Sequence, residues 1–236
     1  MLKENKNLLH LQEVANGLNE LIYEVAFIGG CVAQLYADDS AASDVRPTLD
    51  VDCVVSLSAR NNYYELEEKL RKYGFRNDTT PGAPICRWLY NGIPVDIMPT
   101  DADILGFGNT WYMAGFRNRV TVVLPSGLNV QLFPAEYYLA TKIAALENRG
   151  GRDLRLSHDF EDIVFLMDNC SSLVNQVYSN PDYKLKVFLC PSFERLLKDG
   201  NLLESIGCAL PMNSPNERVT YVMERMRLIS SCNQTP

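Results

Sequence analysis

Histidine is nearly absent from this chain of 236 residues, which contains only His10 and His158. The seven cysteines, Cys31, Cys53, Cys86, Cys170, Cys190, Cys208 and Cys232, are scattered without a C-x-x-C pair. A structural zinc site needs closely spaced Cys and His ligands, and a disulfide framework an even count in a small secreted chain. Both are disfavoured, and the cysteines read as small buried hydrophobes in a reducing compartment. No apolar run approaches the roughly 18 residues of an ordinary membrane-spanning helix. The start, MLKENKNLLHLQEV, lacks the apolar stretch and small-residue cleavage site of a secretory signal, so a cytoplasmic location is expected. Basic residues are outnumbered 22 to 29, a formal charge of −7. That deficit disfavours holding nucleic acid through a general positive field, while leaving room for an enzyme that handles an RNA end through a local basic patch. Internal repeats and low-complexity segments are missing too.

What is present is 47% apolar residues, enough for a sizeable core in one large or two small domains. Leu8, Leu11, Val14, Leu18 and Leu21 recur at helical spacing over 5–24, with Gly17 a weak point. The run VAFIGG (25–30) reads as a strand ending in a glycine turn, followed by a short helix over 31–37 and an acidic loop with Asp38, Asp39 and Asp44. Residues 48–57 are β-rich, and 61–73 form an amphipathic helix ended by Gly74. Asn91-Gly92, where both turn positions favour positive φ, predicts a hairpin of 85–90 with 93–98. A second hairpin joins 119–124 to 128–133. Helices are expected over 134–147, 157–169 (capped by Ser157), 182–198 and 215–228. The fold class is therefore α+β: a twisted mixed β-sheet flanked by helices, then a mainly helical C-terminal region. The break lies between 133 and 150, giving domains 1–149 and 150–236, with a ligand cleft expected between them.

The chemistry concentrates in Thr48-Leu49-Asp50-Val51-Asp52. Alternation on a strand points Asp50 and Asp52 to one face. Two adjacent acids near a sheet repel unless a cation lies between them, and hard oxygen ligands favour Mg²⁺, with Mn²⁺ as the alternative. Asp96 alternates in the same way in IPVDIM, so three carboxylates converge if the two strands are neighbours. A bland reading of any one of these acids is a solvated strand face. Gly29-Gly30 suit close approach of a phosphate to main-chain N–H groups, or simply a tight turn. Trp88, Tyr90 and Trp111 are either base-stacking platforms or core.

Gly29-Gly30, Asp50-x-Asp52 and a later strand bearing Asp96 together resemble the nucleotidyltransferase fold typified by DNA polymerase β. More narrowly, Arg46-x-Thr48-x-Asp50-x-Asp52, the helix LATKIAAL with Lys142, and Asp159 with Asp162 resemble the AbiEii/AbiGii toxin branch, with His158 where a lysine is usual. The resemblance spans about residues 20–170. It implies a metal-dependent enzyme with Asp50, Asp52 and Asp96 as metal ligands and catalytic residues, Asp96 nearest the attacking hydroxyl. By the same resemblance Gly29, Gly30, Arg46, Thr48, Lys142 and Asp159 contact the nucleotide. The implied reaction moves a nucleoside monophosphate from an NTP, ATP among them, to an acceptor hydroxyl. A tRNA 3′ end and an antitoxin protein are the implied partners. Two rivals stay open: an aminoglycoside-type adenylyltransferase, which the acidic loop suits, and a nucleotide-binding relative without catalysis. If Lys142 is a lysine at the cleft surface, alanine there should leave folding nearly unchanged.

Overall fold

The computed structural model describes residues 5–38, 45–57, 60–149 and 153–232. Asp39, Asp44 and the pair Gly150-Gly151 lie outside the described residues. By packing, the chain divides into two compact units, Met1–Leu35 with Arg46–Pro134, and Tyr36–Val45 with Ala135–Pro236.

The first unit is built on a seven-stranded mixed sheet. Its strands are β1 (Val25–Ile28), β2 (Val51–Val55), β3 (Arg76–Asn77), β4 (Arg87–Tyr90), β5 (Ile93–Pro99), β6 (Val120–Val123) and β7 (Asn129–Leu132). Their order is β3-β4-β5-β2-β1-β7-β6. β2 runs parallel to β5 and β1 parallel to β7, while β1–β2, β3–β4, β4–β5 and β6–β7 are antiparallel. Every residue of the interior strand β1 is buried, which is why VAFI is an unbroken apolar run rather than an alternating one. Helices α1 (Lys6–Gly17), α2 (Arg60–Lys72) and α3 (Tyr112–Arg117) belong to the same unit. α1 buries Leu8, Leu11 and Val14 and is capped by Asn5, whose side chain accepts from the Leu8 amide.

Both hairpins form where the turn residues require them. Asn91 (φ 49°) and Gly92 (φ 84°) take the left-handed conformations of a tight two-residue turn, fixing Tyr90 opposite Ile93. The expected helix over 5–24 differs in one respect: α1 stops at Gly17, Asn19 adopts φ 50°, and Asn19–Tyr23 continues as a 3₁₀ turn. The short helix after the glycine pair is also 3₁₀ in form, over Gly30–Tyr36.

Among its described residues the second unit has helices and no strand. It comprises α4 (Ala135–Arg149), α5 (His158–Asn169), α6 (Leu173–Ser179), α7 (Tyr183–Leu196), α8 (Leu202–Ala209) and α9 (Asn216–Ser230). α4 packs on α5, α6 and α7, and α9 on α5, α6, α7 and α8. Ser157 caps α5 by accepting from the Phe160 amide. Among the described residues no helix is long and apolar enough to cross a membrane.

Candidate metal centre

Register brings the acids together. Ile28 pairs with Asp52, Asp52 with Asp96, and Asp96 with Arg87, so these residues form one line across β1, β2, β5 and β4. Laterally paired residues project to the same sheet face. Asp50 lies two residues before Asp52, just ahead of β2, and joins the group. Asp50, Asp52 and Asp96 each offer one oxygen, all within 4.8 Å of one another. Around an octahedral Mg²⁺ adjacent ligand oxygens lie about 3.0 Å apart and opposite ones about 4.2 Å, so side-chain rotation is what would draw the three together on an ion. Asp96 is buried, and Asp50 and Asp52 are half-buried.

Two neighbours shape the cluster. Gly29 has φ +76°, and a Cβ built there would fall 1.8 Å from Asp52 Oδ2. Only glycine both tolerates this conformation and leaves the carboxylate room. Thr48 donates its hydroxyl to Asp50 Oδ1 at 2.7 Å, and its own amide donates to Asn7 Oδ1 at 3.0 Å, tying the segment ahead of β2 to α1.

The cation present is a side chain that the motifs in the sequence did not single out. Arg87 Nε donates to Asp96 Oδ1 at 2.8 Å, and Nη2 to Asp96 Oδ2 at 2.7 Å and to Asp50 Oδ2 at 3.1 Å. The fork on Asp96 holds the guanidinium pKa above its ordinary value, so its charge is permanent. A signal for it existed: counting back from the two-residue turn at Asn91-Gly92 sets Arg87 opposite Asp96. Two thiols near the cluster, those of Cys53 and Cys86, are buried. Burial, reinforced by the Asp96 charge, pushes Cys86 up to about 12, and burial raises Cys53 well above its usual value. The metal-binding group among the described residues consists of the three carboxylates, an all-oxygen donor set, as a hard cation prefers.

The remaining expected residues are distributed as follows. Gly30 is buried at the head of the 3₁₀ turn. Arg46 reaches the Pro47 carbonyl through Nη1 at 3.4 Å, and its own carbonyl accepts from Asn7. Lys142 and Asp159 belong to the second unit. There Lys142 Nζ lies 2.5 Å from Asp162 and 3.5 Å from Asp159, and Arg149 Nη1 lies 2.8 Å from Asp159. The lysine side chain is 12% exposed and belongs to an ion group with two buried carboxylates. His158 is exposed at the start of α5, with Nδ1 3.0 Å from Glu161. Trp88 and Trp111 are buried, and Tyr90 stacks on Phe75 at 4.5 Å, so these aromatics serve the core.

Compared with known families and curated proteins, the chain matches no family model and no curated sequence. Fold and site define a class by themselves: a mixed-sheet protein with a helical C-terminal region and a three-carboxylate cluster able to coordinate a metal ion.

Proposed function

We propose that the chain is a divalent-metal-dependent nucleotidyltransferase, moving a nucleoside monophosphate from an NTP to an acceptor hydroxyl and releasing pyrophosphate. The observation that carries the reading is the convergence of Asp50, Asp52 and Asp96 on one sheet face. It is supported by Gly29, whose main chain passes against Asp52 with no side chain between. The three carboxylates would hold Mg²⁺ or Mn²⁺, which when bound supplies positive charge to activate a hydroxyl and offset phosphate charge. Asp96 accepts hydrogen bonds at both oxygens from Arg87, so its task is that of a ligand rather than of the group taking the hydroxyl proton. Thr48 orients Asp50. Gly29 leaves space in which phosphate oxygens can approach the acids. Lys142 already faces two carboxylates, and a structural task suits it better than a triphosphate contact.

The test is transfer of label from each α-labelled NTP, with Mg²⁺, to total RNA and separately to cationic aminocyclitols, using wild type and Asp52→Asn. Wild type should label one acceptor class, and Asp52→Asn should fall to background while melting at a similar temperature. Labelled RNA 3′ ends would support the toxin-type acceptor, and labelled aminocyclitol the drug-modifying one. Failure of wild type to label either class, or full activity in Asp52→Asn, would contradict the reading.

A further inference from the structure

Asp50, Asp52 and Asp96 present three negative charges around one point of the sheet, and Arg87 supplies one positive charge among them. Its placement is specific. Strand register sets Arg87 directly opposite Asp96, and the guanidinium meets both Asp96 oxygens. The same Nη2 that holds Asp96 Oδ2 at 2.7 Å also reaches Asp50 Oδ2 at 3.1 Å. One nitrogen therefore bridges two of the three carboxylates that a metal ion would draw together. The contacts are unequal: Asp96 is gripped by a two-point fork, Asp50 by one longer bond from a nitrogen already engaged. Asp50 is also the more exposed acid, with its side chain 33% exposed against 12% for Asp96.

A metal at about 2.1 Å from each ligand and a guanidinium hydrogen-bonded to the same carboxylates repel one another at short range. The weaker contact is the one that gives. We propose that Arg87 is a built-in counter-ion that competes with the metal for Asp50 and so sets the affinity of the site. In the metal-free protein Nη2 links Asp50 to Asp96. On metal entry Asp50 leaves Nη2 for the ion, while the fork on Asp96 persists and keeps that ligand oriented. Arg87 thus stabilises the acids when no metal is bound and raises the metal concentration needed to fill the site. The inference rests on the reading of the three acids as a metal centre.

The test uses Mn²⁺ alone, without nucleotide, titrated into wild type, Arg87→Gln and Arg87→Lys and followed by calorimetry or by the loss of free-Mn²⁺ paramagnetic signal. Thermal unfolding is recorded in chelator and in saturating Mn²⁺. Removing a unit positive charge a few ångströms from the ion should tighten binding on the order of tenfold in Arg87→Gln. That variant should melt below wild type in chelator and recover with Mn²⁺, because the metal then performs the neutralisation. Arg87→Lys keeps the charge without the fork, so it should fold and bind with intermediate affinity. If Arg87→Gln does not fold in chelator, Arg87→Lys decides, and tighter binding than wild type is required of it. Wild-type binding with equal or weaker affinity in the variants overturns the counter-ion role and leaves the metal centre standing. No saturable binding by any of the three proteins overturns the metal centre, and the counter-ion role with it.

Discussion

Lys142 shows how the surroundings of a single residue lie outside what its own helix pattern specifies. On LATKIAAL it looks like a cation on an apolar helix face whose head reaches solvent. Asp159 and Asp162 stand three residues apart on α5, hence on one helix face, and both meet the ammonium. Their side chains are 6% and 2% exposed. Alanine at 142 takes the ammonium away from two buried carboxylates, of which Asp159 keeps Arg149, and breaking a buried pair in this way typically costs about 3–5 kcal/mol. Urea unfolding of Lys142→Ala should show a loss of that order. Adding Asp159→Asn and Asp162→Asn should restore part of it, since neutral amides need no counter-charge. A loss below about 1 kcal/mol in the single variant would mean that water already screens the group.

At the scale of elements, the contact between α1 and the β4–β5 hairpin explains a glycine that propensity alone counts as a defect. A Cβ at Gly17 would lie 2.3 Å from the Tyr90 ring, and that ring is itself stacked on Phe75. The helix can approach the hairpin only where its last residue has no side chain. Alanine should gain up to about 1 kcal/mol in helix propensity. Overpacking against a held ring costs about 1–3 kcal/mol, so the net effect of Gly17→Ala should be a lower melting temperature. In a Tyr90→Ala background the same substitution should be neutral or stabilising. Destabilisation of equal size in both backgrounds would assign the glycine to backbone conformation instead.

For the molecule as a whole, what could be read from sequence was whatever is encoded within a few residues. Asn91-Gly92 forces its turn, Ser157 caps α5, and the 3.6-residue periodicity of 157–169 marks its buried face. The mixed sheet followed by helices was legible for this reason. The pairings of β2 with β5 and β1 with β7 were not, because parallel strands are joined by long crossovers whose order no local signal specifies. Short helices such as α6 and α8 escaped because two turns give too little periodicity to stand out. In the site, the acids announced themselves by alternation, whereas Arg87 emerges only when the hairpin register is counted out. Packing division at Pro134–Ala135 groups α4 with the helices that follow it, a choice of partner rather than a property of its own sequence.

Whether Asp50, Asp52 and Asp96 together form a metal centre is decided most simply by anomalous diffraction from crystals soaked in Mn²⁺. An anomalous peak bonded to oxygens of all three carboxylates is expected, at the roughly 2.1–2.2 Å typical of oxygen ligands on a small divalent ion. Anomalous density elsewhere, with Arg87 still linking Asp50 to Asp96 and no ion among the three acids, would contradict it.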